Sequence, residues 1–293
     1  MTHPHEQRDG LDVTSITDGL DDIKDAHFGL IGCGIGKSPH FKHITALKKL
    51  CENPPATNGA VLANALLARI EQNWRAGRDK HDTAPSRENW RFRKAGKMST
   101  RNASAEVTFE RDLADLGGEN WANQVPTSSG LLGPHADKRR AIDLVERTGA
   151  GEFELIELKI ESDTPLFAAL EILEYGALYV FSRVEVKALG YEPGFSEILE
   201  AQHIKLRVLA PQPFYEFKTR AGRRPYQLDW LGRALQSATR HLALRIGGGF
   251  HMDFGFDVFP DDFISEPEDR RREGDILKMM AGRRPLMDGP GVH

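Results

Sequence analysis

Asp143, Glu157 and Lys159 are the residues of this chain whose types and spacing best fit a chemical task. They lie in two neighbouring strand-like runs, Ala141-Ile-Asp143-Leu-Val and Phe153-Glu-Leu-Ile-Glu157-Leu-Lys159-Ile160, joined by a Gly-rich turn. Side chains alternate faces along a strand, so Glu157 and Lys159 point one way while Ile156, Leu158 and Ile160 point the other. The apolar set explains the core-facing side. It leaves an acid and a lysine side by side opposite it, and Asp143 sits likewise between Ile142 and Leu144. An acid, thirteen residues, then acid-x-lysine is what two adjacent strands need to hold a divalent cation against a phosphodiester. Taken alone, Glu157 and Lys159 also read as a surface ion pair on an edge strand.

Mg²⁺ suits such a pair of carboxylates. It takes hard oxygen ligands, keeps several waters, and needs only one or two side chains plus a substrate phosphate. Mn²⁺ can substitute. Asp143 and Glu157 would be the ligands, and Lys159 would orient the attacking water and offset charge growing on the phosphate.

The elements that must carry these residues follow from periodicity and punctuation. Ser104 caps a helix to about Leu116, and a short strand runs from Trp121 to Val125 before Pro126. Strands at 141–147 and 153–160 come next, and Thr164-Pro165 opens a long helix with proline where its missing N–H costs nothing. His203–Leu209 reads as a strand, Leu228–Arg245 as a helix and Phe250–Phe259 as a last strand. This order predicts an α/β fold, a mixed central sheet flanked by helices.

Both flanking helices carry acids where apolar residues would be expected. On the first, Glu106 and Glu110 fall within the arc of Val107, Phe109, Leu113, Ala114 and Leu116. Carboxylates there are costly unless paired or bound to a metal. An alternative has one capping the first turn and the other meeting an arginine. The helix from Pro165 is apolar almost all round, which marks it as buried. Glu171, Glu174 and Tyr175 are its exceptions, and Glu171 and Tyr175 share a face at i,i+4. Glu171 is equally well read as an acid near a helix N-terminus.

With these residues in view, the chain resembles the PD-(D/E)XK nuclease superfamily, whose core is the restriction-endonuclease-like fold. Asp143 stands where the motif's first acid falls, and Glu157-Leu158-Lys159 where (D/E)xK falls. The RecB-type branch is the most similar: it carries Gln-x-x-x-Tyr on the following helix, where this chain has Glu171-Ile-Leu-Glu-Tyr175. Glu171 replaces the glutamine, Arg140 stands where that branch has glycine, and no proline precedes Asp143. The resemblance covers residues 104–259. It implies a Mg²⁺-dependent nuclease, the Leu158 carbonyl as a further metal ligand, Glu106 or Glu110 reaching the metal from the first helix, and Glu171 and Tyr175 supporting the site from behind.

The rest of the chain sets bounds. Residues 1–25 are polar and acidic and are expected to be loose. Residues 26–103 read as a helical extension, with helices near His40–Cys51 and Gly59–Trp74 and then a mobile basic connector from Arg75 to Arg101. Residues 104–260 form the nuclease-like unit and 261–293 a charged, irregular tail. The formal charge of −4, from 39 basic and 43 acidic residues, does not suit a nonspecific nucleic-acid coat. Binding must then come from local patches such as Lys138-Arg139-Arg140, or be aided by a protein partner or a homodimer. Cys33 and Cys51 are too few for a disulfide framework, and no basic and apolar leader opens the chain, so a cytoplasmic protein off the membrane is expected. Gly32-Cys-Gly-Ile-Gly36-Lys37-Ser38 lacks the glycine and the preceding strand of a phosphate-binding loop. The expected function is metal-dependent hydrolysis of nucleic acid, DNA ahead of RNA. A non-catalytic nucleic-acid or protein-binding module on the same fold is the alternative, and a nucleotide switch at Gly32–Ser38 a third.

Overall fold

The computed structural model describes residues 13–80, 84–95, 104–160, 162–263 and 273–286. Its six-stranded sheet contains β1 (Trp121–Pro126), β2 (Ala141–Gly149), β3 (Glu152–Leu158), β4 (His203–Ala210), β7 (His251–Val258) and β8 (Arg284–Pro285), in the spatial order β1-β2-β3-β4-β7-β8. Neighbours pair antiparallel from β1 to β3, parallel from β3 through β4 to β7, and antiparallel at β8. This is the expected mixed α/β arrangement. A separate hairpin, β5 (Glu216–Thr219) and β6 (Gly222–Pro225), follows β4.

Alternation along the strands separates two cores. Phe153, Leu155, Ile204, Leu206 and Val208 share a core with α5 (Pro165–Val184) and α6 (Asp229–Ile246), and α3 (Gly59–Gly77) packs on those two helices. Leu144, Ile156, Leu158 and Leu209 face Phe109 and Leu113 of α4 (Ala105–Leu116) and Ile276, Met279 and Met280 of α7 (Glu273–Ala281). Helix starts follow local chemistry. Asn58 caps α3, Ser104 caps α4, and Thr164 caps α5 with Pro165 at its first position. Gly59 lies where α3 meets α6 backbone to backbone: a Cβ there would stand 1.9 Å from the Ala234 carbonyl oxygen. Helix α5 alone, among the described residues, is long and apolar enough to cross a bilayer, and 89% of that window is buried inside the protein. It is the core helix.

Three expectations are corrected. The loose N-terminal segment is in fact folded from residue 13 on: Val13, Ile16 and Leu20 are buried, and α1 (Leu20–His27) begins inside it. Two of its acids bind backbone N–H groups. Asp18 accepts from the N–H of Thr14 and Ser15, and Asp25 from those of His40 and Phe41. Residues 1–12 lie outside the described residues. The basic connector is anchored as well. Helix α3 runs on to Gly77, and Trp90 is fully buried, with its ring 5.5 Å from Tyr179 and its indole N–H donating to Ser182 at 3.0 Å. Two of its cations lie on rings, Arg78 on Trp74 and Arg91 on Phe195, and Arg75 and Arg93 pair with Glu71 and Glu88. Residues 81–83 and 96–103 of that stretch, including Lys97 and Arg101, are outside the described residues. The irregular tail holds α7 and β8, while 264–272 and 287–293 are not described.

The N-terminal helices thus share one apolar core with the sheet and α5. Leu66→Ala, at a fully buried position of α3, is expected to cost about 2–5 kcal/mol in a single cooperative denaturant transition. A two-step melt in which only the first step moves would show instead that residues 13–80 fold as a separate unit.

Candidate active site

Strands β2 and β3 are in register at Leu144 opposite Ile156. Beyond that point the backbone ladder opens, and the N–H of Leu158 donates to Asp143 Oδ2 at 2.9 Å. On the other side of β2, β1 pairs Asn123 with Leu144 and Val125 with Ile142, omitting Gln124 between them. Gln124 has a φ of 48°, a strained conformation for a residue with a Cβ. Its side chain crosses to α4 and donates to Glu110 Oε2 at 2.6 Å. The distortion therefore falls beside Asp143.

Glu157 and Lys159 share the face turned toward α5. Lys159 is anchored by its own N–H to the Leu209 carbonyl at 3.0 Å, which extends the β3–β4 ladder by one bond. Its ammonium stands 2.6 Å from Glu157 Oε1, 3.4 Å from Asp163 and 3.5 Å from Glu171. Glu157 is only 2% exposed, and its Oε2 is buried with no hydrogen-bond partner. That is a costly state for a carboxylate oxygen.

One lysine does not balance this many acids. Burial, then the charge of Asp143, pushes the Glu110 carboxyl up to about 8. Burial also pushes Asp143 up to about 6 against the pull of Lys159. Glu157 is raised well above the usual carboxylate range by burial and then by Asp143 and Glu171. Glu157 and Glu171 in turn hold the Lys159 ammonium firmly protonated despite its burial. Tyr175, buried behind them, keeps its proton because burial and four nearby acids oppose a phenolate.

The structure brings Asp143, Glu157, Lys159, Glu110, Glu171 and Tyr175 into one electrostatic cluster at the C-terminal end of β3. Glu106 borders it: its carboxylate accepts from the N–H of Ile160 at 2.9 Å and from the Ser162 hydroxyl, clamping the chain as it leaves the strand. Of the helix acids, Glu110 is the one bonded to the strained Gln124. Arg140 is engaged elsewhere, paired with Glu174 and with Asp137 at 3.4 Å, and Glu174 also holds Lys24 of α1. Lys138 and Arg139 remain exposed, and Lys138 meets His135. Gln124, Asp163 and the Phe167 ring were not foreseen. Only Asp163, four residues after Lys159, left a mark in the sequence. The Gly32–Ser38 loop follows a helix, α1, rather than a strand.

Among the described residues no three His, Cys, Asp or Glu side chains are gathered closely enough to hold an ion as they stand. The fit to a divalent cation rests on donor chemistry. Hard oxygen donors crowd together, they raise one another's proton affinity, and Glu157 Oε2 lacks any partner.

An acid that holds its proton more tightly when folded favours the folded state below its unfolded pKa and loses that advantage as pH rises through its folded pKa. For Glu110 the window runs from 4.5 to about 8. Thermal stability in EDTA is therefore expected to fall as pH rises across this window, and Glu110→Gln to flatten the fall, read as Tm against pH. An identical slope in the variant would remove Glu110 from the cluster. No family model, curated protein or solved structure matches the chain.

Proposed function

We propose that the chain is a metal-dependent nuclease that hydrolyses phosphodiester bonds, DNA ahead of RNA, using the cluster at the end of β3. The observation that carries this reading is Glu157. Its buried carboxylate has one oxygen on Lys159 at 2.6 Å and the other with no partner, beside Asp143 on the adjacent strand. The donor set suits Mg²⁺, or Mn²⁺ in its place, with Asp143, Glu157 and, by resemblance, the Leu158 carbonyl as ligands. Such an ion supplies Lewis acidity toward the phosphate and acidifies a bound water.

The remaining work falls to side chains. Lys159 is held as an ammonium, so it acts as a hydrogen-bond donor and a positive charge rather than a base. It orients the water oxygen that bonds to phosphorus and offsets charge on the phosphate as the P–O bond to the departing sugar breaks. Glu110, held beside the cluster by Gln124, is placed to accept the proton that the water gives up. Glu171 and Tyr175 hold Lys159 and Glu157 from the α5 side.

Plasmid, linear duplex, single-stranded DNA and RNA incubated with Mg²⁺ or Mn²⁺ test the proposal. Cleavage abolished by EDTA and reduced on the order of 10²–10³-fold in Lys159→Ala or Glu157→Gln is expected. Cleavage retained in both variants would overturn the assignment of residues. Nucleic-acid binding without cleavage by wild type would favour a binding module on this fold.

A further inference from the structure

The turn His40–Lys42 lies against the N-terminal end of α5, and it brings a second lysine to the edge of the cluster. Asp25 fixes the turn by accepting the N–H of His40 at 2.7 Å and of Phe41 at 2.8 Å. Phe41 is fully buried, and its ring stacks on Phe167 of the first turn of α5, centroids 6.0 Å apart. The same Phe167 ring lies 5.6 Å from the Lys159 ammonium and 4.9 Å from that of Lys42. One aromatic ring therefore stands next to two cations from separate segments of the chain.

Their surroundings differ. Lys159 is nearly buried among carboxylates, whereas the Lys42 side chain is 44% exposed. Its nearest carboxylate is Asp21 at 3.9 Å, itself 46% exposed and already 3.2 Å from Lys24. Such a pair contributes about 0–1 kcal/mol and is readily displaced. Among the described residues Lys42 pairs with none of the carboxylates around Lys159, so its charge is left to meet an anion brought there. Its position makes sense for an anion that spans both lysines.

We propose that Lys42 is a substrate-binding residue, taking a backbone phosphate that neighbours the one held at Lys159, with the Phe167 ring beside both ammonium groups. The N-terminal helices then supply part of the substrate surface as well as part of the core. This rests on the nuclease reading, and it deepens that reading to a strand bearing consecutive phosphates rather than a lone phosphate ester.

The test is binding of a fluorescent single-stranded and a duplex oligodeoxynucleotide in EDTA over a salt series, with steady-state cleavage in Mg²⁺ alongside. Lys42→Ala, Lys42→Arg and the exposed control Lys49→Ala are compared with wild type. Lys42→Ala is expected to raise KM on the order of 10-fold with kcat little changed. It should also reduce the slope of log K against log salt by about 0.7 for the single strand or 0.9 for the duplex, one phosphate contact. Lys42→Arg should keep the slope, and Lys49→Ala should match wild type. Slope and KM unchanged in Lys42→Ala would overturn the role of Lys42 and leave the nuclease reading intact. Wild type that binds but does not cleave would overturn the nuclease reading, with the slopes still deciding Lys42. Wild type that does neither would overturn both.

Discussion

A helix with no solvated side must be surrounded, and that constraint organises this protein. Of the twenty residues of α5, sixteen are buried. The sheet covers one side, and α3 and α6 cover others. The helices before residue 80 are therefore required by α5. The acid that α5 carries inward, Glu174, is compensated from two directions, by Lys24 of α1 and by Arg140 at the start of β2. Removing one partner from a buried ion pair typically costs about 3–5 kcal/mol, so this triad ties the N-terminal region, the core helix and the sheet together.

The same helix gives the acidic cluster its back wall. Glu171 and Tyr175 occur one turn apart on it, opposite Glu157 and Lys159 on β3. On the far side Glu110 approaches from α4. Two helices on opposite faces can converge on one spot because the strand ladder opens at Asp143 and bends at Gln124. The acids crowd where backbone hydrogen bonding is interrupted, and the energy to hold them there comes from the two apolar cores on either side.

Much of the region from residue 104 to residue 259 was legible. The alternation of Phe153, Leu155 and Glu157 against Ile156 and Leu158, the Ser104 and Thr164-Pro165 starts and the largely apolar 165–183 stretch each point to one element, and each forms. Juxtaposition of Asp143, Glu157 and Lys159 followed from strand pairing. What was not legible depended on long-range contacts. Nothing local says that Trp90, in a run of arginines, docks against Tyr179, or that Asp18 and Asp25 serve backbone N–H groups. Nor does spacing reveal that Arg140 meets Glu174, or that Gln124 turns away from the ladder to reach α4. Polar composition was read as solvation where it is internal bonding.

The packing of α3 has a consequence for how the chain is made. Its buried residues Leu62, Leu66 and Ile70 find their cover on α5 and α6, which begin at Pro165 and Asp229. A ribosome adds roughly 5–20 residues per second, so these side chains emerge several seconds before their partners exist. Until then the apolar face of α3 lacks the cover that the native fold gives it. Native structure closes only when the late helix α6 arrives, with the Gly59 contact as the point where first-made and last-made helices meet.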